Sequence, residues 1–257
     1  MSKNETMKQM IDHEWQNIMA THGLKESDRA GKMRVYDGIV DEDTFAVQRH
    51  KTLFLLKDAN KPNGYDISGA VHDFEEGIGD GYAYRDLLNT ANSTVREDTK
   101  YTRLGTMWRV ICMWARIVED EGFGLTDCFD DKGYHVDDMR GYLKNIAIVN
   151  IKKTAGESSC PTTELEKAVN GYFCLIQQQI ECISPSLIVC CGTFEVVRDY
   201  LKNKATDIQD YGDYFIYNGR GYLKAPHPAN RRSYQTNFDE FKKVYYGMKE
   251  CSLLQNI

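Results

Sequence analysis

Four short segments carry side chains whose types and placement suit chemistry. They are FLLKDANKPNG (Phe54 to Gly64), IVNIKKTAG (Ile148 to Gly156), VCCGTFEV (Val189 to Val196) and KAPHPANRRS (Lys224 to Ser233). They supply a carboxylate at Asp58, a side-chain amide at Asn150, a glycine and hydroxyl turn at Gly192 and Thr193, and an imidazole at His227 followed by Arg231 and Arg232. A carboxylate can face a developing cation and orient a water. A neutral imidazole can donate to a developing anion, and an amide offers donor and acceptor side by side. Singly, each has an ordinary role: Asp58 caps a turn, Asn150 ends a strand, Gly192 opens a helix, and His227 sits on the surface. Yet each follows a short apolar run, and in open α/β sheets ligand sites gather outside the carboxyl ends of the strands.

The elements that must position these groups can be read from periodicity. TLFLL (Thr52 to Leu56) is a short β-prone run followed by a loop carrying Pro62, Asn63 and Gly64. Ile146 to Ile151 and Leu187 to Cys191 are nearly continuous apolar runs, as expected of parallel strands covered on both faces. Between them, Thr163 and Glu166 have capping-box spacing ahead of a helical pattern that continues to Ile183, giving a strand, helix, strand crossover. Glu5 to Ala20 and Leu104 to Val118 have helical spacing. Gly192-Thr193 opens a helix to about Lys202, the pieces YFIY and GYLKA are β-prone, and Phe238 to Met248 closes the chain as a helix. Asp80 to Tyr101 and Gly122 to Tyr134 are expected to be irregular. This alternation predicts an α/β fold: a three-layer α/β/α sandwich around a central, mainly parallel four-stranded sheet. One domain over residues 1–257 is expected, with a helical N-terminal extension over about residues 1–50.

With 257 residues, 42% of them hydrophobic, the chain can bury a full core without disulfide or metal staples. Its apolar runs are strand-sized and its start is polar and acidic, so the expectation is a cytoplasmic protein without a membrane partner. The eight cysteines contain no C-x-x-C, which suits buried thiols better than a zinc or iron–sulfur site. The net charge of −6 argues against a nonspecific nucleic-acid coat. The distribution is uneven: residues 1–139 hold 17 basic and 26 acidic side chains, and residues 140–257 hold 15 and 12. There is no G-x-x-x-x-G-K-[ST] and no H-E-x-x-H, and GIGDGY (Gly77 to Tyr82) lacks the strand context of a dinucleotide fold. No cofactor, no metal and no obligate protein partner is expected.

Taken in order, the four segments resemble the motifs of the uracil-DNA glycosylase superfamily. KDANKP stands where that family has its water-activating loop, Gly-Gln-Asp-Pro-Tyr-His in the best-known branch. IVNIKKT resembles Leu-Leu-Asn-x-x-Leu-Thr, CCGT resembles Trp-Gly-Ser, and HPA at His227 to Ala229 resembles His-Pro-Ser. The likeness spans about residues 50 to 245 and is specific as an ordered set. Superposed without a gap, Ala59 falls on the family's catalytic Asp, Asp58 on the preceding Gln, Asn60 on Pro and Lys61 on Tyr. The expected catalytic carboxylate is Asp58 after a one-residue shift, with Asn60 as second candidate.

The resemblance implies a monofunctional DNA glycosylase that swings a nucleotide out of the stack and leaves an abasic site. Asn150 would read the flipped base and His227 would donate to the pyrimidine O2. Phe74 is preferred over Tyr65 and Tyr82 as the stacking partner. Lys152 and Lys153 would follow the DNA backbone, Gly192 and Thr193 would hold a phosphate at the helix entrance, and Arg231 or Arg232 would press on the duplex. In the best-known branch the loop Tyr walls off the pyrimidine 5-position. Lys61 or Asn60 stands here instead, so a 5-substituted pyrimidine is expected, with hydroxymethylated or glucosylated cytosine of phage DNA favoured as an antiviral target. The alternatives are repair of uracil or another deaminated base and, if Ala59 truly replaces the acid, a non-catalytic base or nucleic-acid binding module.

Overall fold

Runs of aliphatic residues buried on both sides form the centre of the structure, because a strand with helices on each face must be apolar at every position. The computed structural model describes residues 1–25, 34–57, 106–130, 133–134, 142–154 and 160–250. In chain order the elements are α1 (Lys3–Thr21), β1 (Gly38–Ile39), α2 (Glu42–Ala46), β2 (Thr52–Leu56), α3 (Thr106–Glu119), a 3₁₀ turn (Leu125–Cys128), β3 (Phe129–Asp130) and β4 (Gly133–Tyr134). They continue with β5 (Ile146–Asn150), α4 (Thr162–Ile183), β6 (Leu187–Cys191), α5 (Phe194–Lys204), β7 (Gln209–Asp210), β8 (Tyr214–Tyr217), β9 (Arg220–Ala225) and α6 (Tyr234–Glu250).

The main sheet has seven strands in the order β1-β5-β2-β6-β9-β8-β7 and is mixed. This corrects the expected four-stranded, mainly parallel sheet. The β5–β2, β2–β6 and β6–β9 pairings are parallel, while β1, β8 and β7 join antiparallel at the two edges. The β8–β9 hairpin turns through Asn218 and Gly219 at φ of 50° and 71°, the left-handed pair that a two-residue hairpin loop requires. Residues 122–134, expected to be irregular, hold the 3₁₀ turn and the β3–β4 ladder among their described positions.

Side chains alternate across the strands to two cores. Phe54, Leu56, Ile146, Ile148, Val189 and Leu223 face α3 and α6, where Trp114 stacks on Phe241 at 5.1 Å. Leu53, Leu55, Ala147, Val149, Ile188 and Tyr222 face α1, α4 and α5. The first fifty residues are more than a helical extension: Met7, Ile11, Trp15 and Ile18 of α1 are part of that second core, and β1 belongs to the sheet. The edge of β1 is covered by Asn4, which donates to the Ile39 carbonyl at 2.7 Å and accepts from its N–H at 2.8 Å.

Register fixes what lies at the carboxyl rim. Leu56 is opposite Asn150, Leu55 opposite Cys190, and Cys191 opposite Ala225. The residues that follow therefore emerge side by side: Lys57, Ile151, Gly192 and Pro226. From β2 the chain proceeds to β5 on one side, and from β6 to β9 on the other. The gap between the ends of β2 and β6 is thus the topological switch point, where such sheets open a crevice.

Candidate functional site at the carboxyl rim of the sheet

The tail of β2 contributes Lys57, which is half-buried. Asp58, Asn60, Lys61 and Phe74, with Tyr65 and Tyr82, lie outside the described residues.

Asn150, the last residue of β5, is 1% exposed. Its backbone N–H donates to Asp37 Oδ2 at 2.5 Å, and its Nδ2 lies 3.4 Å from the same oxygen. Because a carboxylate only accepts, the amide must present its NH₂ group to Asp37 and turn Oδ1 away. Asp37 is itself held by Lys153 Nζ, 2.8 Å from each carboxylate oxygen, and by Gln179 Nε2 at 3.1 Å. Lys153 has no exposed surface. It cannot follow a DNA backbone, and that expectation is corrected: its ammonium neutralises Asp37 beneath the strand end. Burial pulls the lysine below its ordinary pKa, while the Asp37 charge and hydrogen bond oppose the shift. Lys152, half-buried at the rim, remains the available one of the pair.

At the end of β6, Gly192 has φ of 69° and donates its N–H to the Ala225 carbonyl at 2.7 Å. A Cβ there would lie 2.8 Å from Lys57 Cε and 3.5 Å from His227 Cβ. Left-handed backbone and close approach together account for glycine. Thr193 is fully buried and its hydroxyl donates to the Leu55 carbonyl at 2.9 Å. This corrects its expected phosphate contact; the hydroxyl ties β6 to β2 instead. The first turn of α5 also carries Glu195, which pairs with Arg198 at 2.6 Å and Lys224 at 2.8 Å. A carboxylate therefore already complements that helix end.

After β9 the chain places His227 beside Gly192 and Lys57. The Ala229 N–H donates to His227 Nδ1 at 3.2 Å, so the neutral ring carries its proton on Nε2. Burial first, and then the charge of Lys57, hold the imidazole below its ordinary pKa. The loop is braced behind it by Asn230, whose Nδ2 donates to the His227 carbonyl at 2.7 Å and to Asn237 Oδ1 at 2.9 Å. The Asn237 carbonyl accepts from Trp114 Nε1 at 3.0 Å. Arg231 and Arg232 are both exposed, and Arg232 is paired with Glu240. A groove of about 510 Å³ continues past Gly192, Phe194, Lys224, Pro226 and Arg232.

The structure thus brings Lys57, Gly192 and His227 together at the switch point. Asn150 stands on the same rim, three strand spacings from β9 or about 14 Å in the sheet. Sequence reading missed Asp37, Lys57, Gln179, Asn230 and Asn237, all of which brace or extend groups that it had picked out. Among the described residues, no three His, Cys, Asp or Glu side chains are grouped as a metal site requires, and no helix is long and apolar enough to cross a membrane. Comparison of the sequence with protein-family models and with curated proteins gives no match.

Proposed function

We propose that this protein is a monofunctional DNA glycosylase of the uracil-DNA glycosylase type, acting on a pyrimidine with a polar 5-substituent such as hydroxymethylated or glucosylated cytosine. An antiviral role belongs to the same proposal. So does a cytoplasmic location, which the free thiols favour. The observation that carries the reading is His227. It sits at the carboxyl rim, is held neutral by burial, and is turned by Ala229 so that Nε2–H is its donor. Asn150 adds an oriented amide on the same rim.

In this reading the extruded base lies between Asn150 and His227. The C1′–N1 bond breaks with its electron pair passing to the base, and the sugar becomes cationic. Nε2–H of His227 donates to O2, where negative charge collects. Asp58, or Asn60, faces the sugar and orients the water whose oxygen bonds to C1′. The water proton is released and the base anion is protonated, giving free base and an abasic site. Arg231 and Lys152 are the rim cations suited to DNA phosphates.

The test is incubation with duplexes containing uracil, hydroxymethylcytosine or its glucosylated form, followed by hot alkali to cut abasic sites. Breaks at the modified cytosines, lost in Asp58→Ala and His227→Ala, are expected. Binding of modified DNA without breaks would favour the non-catalytic module, the reading that Ala59 suggests.

A further inference from the structure

We infer that Lys57 is a catalytic residue that shares with His227 the negative charge of the departing pyrimidine. This rests on the excision reading for the identity of the anion, and on three observations for the site. First, Lys57 directly follows β2 at the switch point, and its backbone is fixed there because the Lys152 N–H donates to its carbonyl at 2.9 Å. Second, its stem occupies the space left by the missing side chain of Gly192, where a Cβ would come within 2.8 Å of Lys57 Cε and 3.5 Å of His227 Cβ. The glycine brings an ammonium and an imidazole to one corner. Third, among the described residues no carboxylate lies within ion-pair distance of Lys57. Lys224, Arg232 and Lys153 each have one.

A half-buried cation with no counter-charge among the described residues, next to a ring whose Nε2 is a donor, is arranged for an anion. Two sources of negative charge reach such a rim: a DNA phosphate and the base that leaves. His227 selects the second, because its donor is oriented by Ala229 and lies at a strand end, where a flipped base enters. Superposed on the resembled motif, Lys57 falls on its leading Gly, so the family pattern gives this side chain no role. When the glycosidic bond breaks, the electron pair delocalises onto O2. Nε2–H of His227 and Nζ–H of Lys57 would both donate there, stabilising charge without transferring a proton.

The experiment compares free 5-nitrouracil, anionic at neutral pH, with uncharged uracil as ligands of the intact protein, using inorganic phosphate as competitor. Wild-type protein should bind nitrouracil about tenfold or more tighter than uracil, a gap of about 1.4 kcal/mol. Lys57→Met should lose that preference and Lys57→Arg should keep most of it. Among the described residues Lys57 has no ion pair to lose, so K57M should retain the wild-type unfolding midpoint. Equal affinities, no binding of either base, a preference that survives in K57M, or displacement by phosphate as readily as by uracil would each overturn the inference. The base-release assay separates the two proposals. If no DNA yields free base but the nitrouracil preference still depends on Lys57, excision fails and the anion site stands. If K57M releases base at the wild-type rate while H227A does not, excision stands and the role of Lys57 falls.

Discussion

The backbone amide of Asn150 donates to Asp37 Oδ2 at 2.5 Å, joining the end of a central strand to a residue 113 positions earlier. The same carboxylate takes Lys153 on both oxygens and Gln179 on one. Four polar groups thus meet where the surrounding strands and helices are apolar. Since an unpaired buried charge is costly, they hold the strand end in one geometry.

Removing one member leaves the other charge uncompensated. Asp37→Ala should cost ~3–5 kcal/mol, whereas the double variant Asp37→Leu with Lys153→Met should recover most of that. Urea unfolding midpoints at constant slope would show the difference. A loss below 1 kcal/mol in D37A would mean that the ammonium finds water.

The imidazole of His227 is depressed by burial and then by Lys57, and no carboxylate faces it among the described residues. The neutral donor form therefore persists below the ordinary imidazole value of 6.5. Base release should fall only as pH drops through that lowered value. Removing the Lys57 charge raises the His227 pKa, so in K57M the acid limb should move to higher pH. A pH–rate profile, or an NMR titration of the ring, reads the shift; an unmoved limb would contradict the coupling.

The hydroxyl of Thr193 bonds to a strand carbonyl, so Thr193→Val should lower stability by ~1 kcal/mol and leave the salt dependence of DNA binding unchanged. Arg231→Ala should instead flatten the plot of log K against log salt by about one unit, and Arg232→Ala by less because Glu240 already engages it. Binding titrations at several salt concentrations compare all three.

Away from the rim, His22 is enclosed between Glu164 Oε2 at 3.2 Å from Nδ1 and the Tyr172 hydroxyl at 3.0 Å from Nε2. Because a carboxylate only accepts, the neutral ring donates from Nδ1 to Glu164, and its Nε2 accepts from the Tyr172 hydroxyl, which itself accepts from the Lys153 N–H at 3.2 Å. Burial holds His22 below 6.5, against the pull of Glu164 and with small contributions from Lys152 and Lys167. The unfolded chain thus takes up this proton first as pH falls. Stability is full above the ordinary value and declines below it. In His22→Gln the decline should be shallower, measured as unfolding midpoints on either side of pH 6.5.

Five of the six described helices and the four central strands were legible because their apolar residues repeat at helical or strand periods, and the strand tails marked Asn150, Gly192 and His227; α2, five residues long, is too short to show a period. The β8–β9 hairpin also had a signal, Asn218-Gly219, which the reading of two separate β-prone pieces did not use. Asp37 and β1 were not legible: a two-residue edge strand has no periodicity, and its partners Asn150 and Lys153 lie more than a hundred positions away. Lys152 and Lys153 look equivalent as sequence. Strand alternation separates them, carrying Ile151 and Lys153 inward and leaving Lys152 at the rim. Lys57 reads as an ordinary polar end to an apolar run, and only the register of β2 against β6 shows what it meets.

Excision itself is tested most directly by mass spectrometry of the bases released from a panel of modified and unmodified genomic DNAs. The account predicts a free 5-substituted cytosine from phage DNA carrying that base, none from the same DNA treated with His227→Ala, and little from unmodified DNA. Absence of any free base from every DNA in the panel, or undiminished release by the His227 variant, would contradict it.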